Sequence, residues 1–138
     1  MSAPEPPEYQ LELTVEPDDV DDLGHVNNIV YVRWLQDVAV AHSSAVGLDP
    51  DAYQRIGGVF IVRKHEIEYL APAFLGERIR LCTSVAWIKA ATTERRTRIL
   101  RAADDTVLAR ASTLWAFVAA DTGRPRRIPK EVSDPFTS

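Results

Sequence analysis

Leu11, Leu13 and Val15 alternate with Glu12 and Thr14. A period of two predicts a half-buried first strand, closed by Pro17 and the aspartates after it. From Asn28 the period changes. Tyr31, Trp34, Leu35, Val38, Ala41, His42 and Ala45 share one helical face. Gly47 is a natural helix stop and Pro50 lies shortly beyond it. This predicts one helix of about five turns, nearly the only convincing one in the chain. After Gly57-Gly58 everything reads as strand: Val59 to Leu70, Arg78 to Ile88, Thr93 to Ala102 and Val107 to Ala120. Pro72 and Gly76 mark one turn and Asp104-Asp105 a short hairpin turn. The strand from Thr93 is rich in Arg and Thr, so one of its faces is expected to be wet or to lie in an interface. Pro125 and Pro129 rule out further central strand.

The order is therefore strand, long helix, then four strands joined by short links. Short links favour antiparallel neighbours. One helix packed on one face of such a sheet is an α+β arrangement.

Composition narrows the class. The 138 residues fit one domain, and 46% hydrophobic residues suffice for a core. A net charge of −4 points away from nucleic acid. Cys82 is the only cysteine, so an intrachain disulfide and a cysteine-based zinc site are both excluded. A lone cysteine fits a reducing, cytoplasmic setting. Residues 1–8 hold three prolines and two glutamates and read as a disordered lead-in without signal-peptide character. No apolar run approaches the ~20 residues that span a bilayer. The expected organisation is a lead-in over 1–8, a domain over 9–132 and a tail over 133–138.

The segment Asp19 to Tyr31 carries the chemistry. An acidic run, Asp18 to Asp22 broken by Val20, precedes Gly24 and His25. Asn27 and Asn28 are helix-starting residues. N–H groups at a helix start lack partners and carry partial positive charge. A carboxylate beside them can serve as base or nucleophile while they take up charge on a substrate oxygen. Other chemistries find less support. No Gly-x-Ser-x-Gly elbow occurs, and Ser43-Ser44 lies inside the helix. Cys82 is placed like a packing residue, so a Ser or Cys hydrolase is disfavoured. His25, His42 and His65 lack metal-ligand spacing, and neither a metal nor a cofactor is expected. His42 is read as a satisfied core histidine. Arg95, Arg96, Arg98 and Arg101 read as a solvated face.

Asp-x-Asp-x-x-Gly-His-Val-Asn-Asn-x-x-Tyr resembles the signature of the 4-hydroxybenzoyl-CoA thioesterase-like branch of the hotdog superfamily. Ile67 to Glu77, Ala111 to Val118, Asp121 to Pro125 and Ile128-Pro129 are similar to its later blocks. The resemblance implies a hotdog fold, an antiparallel sheet wrapped around one long central helix. It also implies homodimers or homotetramers with active sites between subunits, and hydrolysis of an aryl or fatty acyl-CoA thioester.

Carried over residue by residue, Asp21, three before the glycine, is the catalytic carboxylate, acting as general base or nucleophile. Asp19 shapes the turn. Gly24 supplies a positive φ or a close substrate approach. His25 bonds the thioester carbonyl, orients Asp21, or is satisfied by backbone. Asn28 caps the helix or contacts the acyl carbonyl. Tyr31 lines the acyl pocket or packs in the core. Val59, Phe60 and Ile61 are expected beside the helix start, and Lys89 near the CoA phosphates. Three other readings stay open: an acyl-carrier-protein thioesterase, a hydratase of the same fold, and a non-catalytic acyl-binding protein.

Overall fold

The structure, a computed structural model, describes residues 7–137. Five strands form one sheet: β1 (Tyr9–Thr14), β2 (Gly58–Tyr69), β3 (Arg78–Lys89), β4 (Thr92–Arg101) and β5 (Val107–Ala119). All neighbours are antiparallel, in the spatial order β1-β3-β4-β5-β2. The long helix α1 (Asn28–Ala45) packs on the inner face, burying Val30, Tyr31, Trp34, Leu35, Val38, Ala39 and His42. Ala41 and Ala45, expected on that face, are half-buried and exposed. Of the expected lead-in, residues 1–6 lie outside the described residues. Glu8 is ion-paired to Arg98 at 3.0 Å.

Two further helices correct the single-helix expectation. α2 (Pro50–Ile56) starts where Asp49 accepts the N–H of Ala52, with Pro50 in the first turn. α3 (Lys130–Thr137) takes in most of the segment expected as a tail. Its Val132 and Phe136, four apart on one face, are buried at 0% and 4% exposure. That burial holds the helix to the fold although Pro135 lies inside it.

The core falls into two apolar clusters. One gathers Val26, Tyr31, Trp34, Leu35, Ile79, Leu81 and Ile99 under the first half of α1. The other gathers Leu48, Val85, Phe117, Ile128, Val132 and Phe136 under α2 and α3. Five buried residues of another kind, Thr83, Arg95, Thr97, Thr113 and His42, form a polar band. This corrects the expectation for Arg95. It faces inward and donates from Nη1 to His42 Nδ1 (2.8 Å) and Thr83 Oγ1 (3.2 Å). The wet face of β4 carries Arg96 and Arg98, paired to Glu94 and Glu8. Arg101 pairs with Glu77 at 2.6 Å.

Burial, and then the Arg95 charge, push the His42 pKa from 6.5 to about 4. The unfolded chain therefore takes this proton first. His42 contributes its full stability above about pH 6.5 and loses it as pH falls toward about 4. The amplitude is on the order of 3 kcal/mol at most. His42→Gln, which keeps an acceptor for Arg95, is expected to flatten this acid limb of stability. Urea midpoints measured across that window check it; an unchanged slope would remove the assignment.

Gly58 opens β2 where the backbone meets Phe117. A Cβ there would clash with the Phe117 ring, which is fully buried. Gly58→Ala is expected to cost about 1–3 kcal/mol through overpacking. A denaturant midpoint equal to that of the parent would contradict it.

Candidate active site

The turn before α1 is built by its aspartates. The Glu16 N–H donates to Asp19 Oδ2 (2.9 Å), and Arg33 of α1 donates to Asp19 Oδ1 (2.7 Å). The Asn27 N–H donates to the Asp19 carbonyl (2.9 Å). Asp19 is 5% exposed. Both its carboxylate oxygens are used in fastening this turn to the helix, and neither is left for chemistry.

Asp21 is held differently. Its Oδ1 accepts the N–H groups of Leu23 (2.9 Å) and His25 (3.1 Å). The turn closes through Asp21 N–H to the His25 carbonyl (2.8 Å) and Gly24 N–H to the Asp21 carbonyl (3.0 Å). Gly24 sits at φ +79°, a region that residues with a Cβ rarely adopt. Among the described residues nothing donates to Asp21 Oδ2. The side chain is exposed, so one oxygen is fixed by backbone donors and the other is open to a substrate or a water.

Asp21, His25, Asn28, Tyr31, Tyr69 and Pro72 line a cleft of about 590 Å³ at the start of α1. Asn27 precedes the helix, its side chain makes no capping bond, and Asn28 is already helical. The capping role expected for Asn28 is therefore not seen. The N–H groups of Asn28 and Ile29 have no acceptor among the described residues, and the positive end of an 18-residue helix is open to the cleft. The His25 ring packs edge-on against Phe74 at 5.0 Å. Its backbone N–H, not its ring, orients Asp21. Tyr31 is buried beneath the cleft, edge-on to Trp34 and Tyr69, and burial raises its pKa. The Tyr69 hydroxyl donates to the Asn28 carbonyl (3.4 Å). Tyr69 and Pro72 lie in the Ile67 to Glu77 block that resembles the family, but nothing in the sequence assigns either to the site.

Four expected residues are elsewhere. Val59, Phe60 and Ile61 begin β2, while Tyr69 ends it. A strand of 12 residues runs roughly 35–40 Å from end to end, so within one chain these residues do not lie beside the helix start. Val59 and Phe60 instead line a cavity with Ala39, Val40 and Ser43 of the second half of α1. Lys89 closes β3 opposite Thr92, at that same far end. Antiparallel register forces this separation, since residues 58 and 119 pair at one end of the sheet and 69 and 109 at the other.

Among the described residues no group of three or more His, Cys, Asp or Glu could hold a metal ion. No helix among them is long and apolar enough to cross a membrane.

One long helix packed on a five-stranded antiparallel sheet is the hotdog fold. Two solved structures with this fold match nearly the whole chain. A putative oleoyl thioesterase from Lactobacillus plantarum superposes with a TM-score of 0.90 at 18% identity, over 95% of this chain and 51% of that one. A 1,4-dihydroxy-2-naphthoyl-CoA thioesterase from Synechocystis superposes with a TM-score of 0.86 at 19% identity, over 94% and 96%. A profile of the thioesterase-like superfamily matches residues 15–136, and the chain belongs to that family. It is also 29% identical over 80 residues to the chloroplastic acyl-acyl carrier protein thioesterase ATL2 of Arabidopsis thaliana, across 58% of this chain. It spans 43% of that relative's length.

Proposed function

We propose that this chain hydrolyses an acyl-CoA thioester, aryl or fatty acyl, to free acid and CoA. The observation that carries the reading is Asp21, a carboxylate fixed through one oxygen by two backbone N–H groups, with its other oxygen free at a helix start. Asp21 would activate water as general base, or attack the carbonyl itself to give a mixed anhydride that water then opens. Thiolate leaves readily, so the remaining requirement is a place for the oxyanion. The N–H groups of Asn28 and Ile29 suit that role. Gly24 would let the thioester approach, and the His25 ring and the Asn28 side chain line its path. Tyr31 would form the cleft floor.

The working unit of this reading is a homodimer, with pairing of dimers into tetramers left open. β2 is an edge strand of 12 residues with Val59, Ile61 and Tyr69 each more than a third exposed. Long apolar edges of this kind invite pairing. Two-fold antiparallel pairing of β2 with its copy would bring the partner's Val59, Phe60 and Ile61 to the Tyr69 end, beside Asn28. The partner's Lys89 would approach from that same end, where a CoA phosphate would lie. The cytoplasm, where CoA thioesters and a free Cys82 both persist, is the proposed location, and a hotdog domain over residues 9–132 the proposed organisation.

A second carrier, acyl-carrier protein, is favoured by the Arabidopsis relative. Hydrolysis of a panel of acyl-CoA and acyl-carrier-protein thioesters, followed by free-thiol release, tests the reading and separates the carriers. No turnover on any thioester would leave a non-catalytic acyl-binding protein. Turnover is expected to survive EDTA and thiol-blocking reagents, since Cys82 is buried at 1% exposure with its pKa raised by that burial. Loss to EDTA restored by a divalent metal would overturn the proposed chemistry.

A further inference from the structure

We infer that the cavity between α1, the inner sheet face, α2 and α3 is a binding site for a free carboxylic acid with an apolar body, whose carboxylate is received by Arg95. The cavity measures about 310 Å³, within the range of small-ligand sites. Leu48, Phe60, Val85, Ile88, Val132 and Phe136 supply apolar wall, and Val40 and Val59, both more than a third exposed, stand where it meets solvent. Within one chain it lies at the far end from Asp21, while in the proposed dimer its Val59 mouth adjoins the other subunit's helix start; the inference does not depend on thioester cleavage.

The polar groups on its wall are out of balance. Arg95 lines the cavity at 6% exposure, and no aspartate or glutamate does. Among the described residues no carboxylate lies within ion-pair distance of it. Its Nη1 is spent on His42 and Thr83. Nε and Nη2 make no hydrogen bond among the described residues. These two nitrogens form the side-on edge of the guanidinium, whose parallel N–H bonds match a carboxylate.

Trp115 repeats the pattern. It lines the same cavity, and its Nε1 is buried without a partner. Trp115 is the register partner of Thr93, two residues from Arg95 on the same face of β4. Thr93 offers no spare proton, because its hydroxyl donates to the Trp87 carbonyl (2.7 Å). Ser43 and Tyr53 bond each other (2.8 Å). What remains is donors without acceptors: a charged fork, an indole N–H and the second proton of the Ser43–Tyr53 pair. A buried charge without a counter-ion is costly, and an anion on the ligand recovers part of that cost. Burial lowers the Arg95 pKa to about 10, so the guanidinium stays charged near neutral pH. A single negative charge on an apolar body suits one cation within apolar walls.

Titration calorimetry of the full chain with octanoate and with 1-octanol tests this without any variant. Octanoate is expected to bind, and octanol at least ~10-fold more weakly. Arg95→Met should weaken octanoate by a similar factor and leave octanol unchanged. Trp115→Phe, which keeps the ring and removes the N–H, should weaken octanoate by several-fold. It serves as the second variant if Arg95→Met does not fold. Equal binding of octanoate and octanol would reduce the cavity to an apolar packing defect. No binding of either, or octanoate binding unaffected by the Arg95 and Trp115 changes, would overturn the site.

Discussion

Asp21→Asn is expected to lower thioester turnover ~10²-fold or more while the fold stays intact. The amide keeps an oxygen that can accept from Leu23 and His25 N–H, so the turn has no reason to open. What it loses is the anionic oxygen that takes a proton from water or attacks the carbonyl. The loss should fall on kcat more than on KM, because that oxygen acts in the transition state. Asp19→Asn supplies the contrast. Asp19 ties Glu16 and Arg33 together, so its variant should lose stability with a smaller loss of turnover. Kinetics and urea unfolding on the same two proteins check both halves. A folded Asp21→Asn protein with near-parental turnover would remove Asp21 from the mechanism. A larger kinetic loss at Asp19 would exchange the two roles.

Ile61→Lys is expected to abolish dimerisation and, with it, most turnover. Ile61 lies on the unpaired edge strand at 37% exposure, away from Asp21 in its own chain. A lysine there is a common guard against edge pairing. Pairing would seat each lysine against the Tyr69 end of the partner's β2, where strands approach to about 5 Å and a charged edge disfavours association. In one chain an exposed substitution costs little stability, usually within about 0.5 kcal/mol. Light scattering should therefore show a folded 15.4 kDa species, its Tm lowered by the lost association and no longer dependent on protein concentration. A monomeric Ile61→Lys protein that keeps its turnover would place the whole site within one chain. A parental chain that is already monomeric at micromolar concentration would do the same.

The strands and the first helix were legible because each advertises its own period. Alternation put β2, β3, β4 and β5 within a residue or so of their observed bounds. The glycine between two aspartates and a helix start marked the turn at Asp21, because hydrogen bonds between near neighbours in sequence form it. Asp19 as a turn-shaping residue was legible for the same reason, though not its partner Arg33, 14 residues away. α2 had a signal that went unread, an Asp-Pro start and a glycine at its end. α3 had little signal, since only Val132 and Phe136 face the core and Pro135 argues against a helix.

Which face of a strand looks inward is a different kind of fact. The Arg- and Thr-rich pattern of β4 reads as a wet strand, yet Thr93, Arg95 and Thr97 are buried. His42 on α1 accepts from Arg95, and Phe136 on α3 lies 5.7 Å from its guanidinium. Neither neighbour is close in sequence. The register shift between Val62 and Lys64 breaks the alternation of β2 midway. Antiparallel register then sends Val59 to Ile61 and Lys89 to the end of the sheet opposite Asp21. The sequence by itself determined the strands, the long helix and the hydrogen-bonded turn at Asp21, because each is marked by residues a few positions apart. Only the tertiary structure decided the burial of Arg95 and the separation of Lys89 from Asp21, because these depend on pairings tens of residues apart.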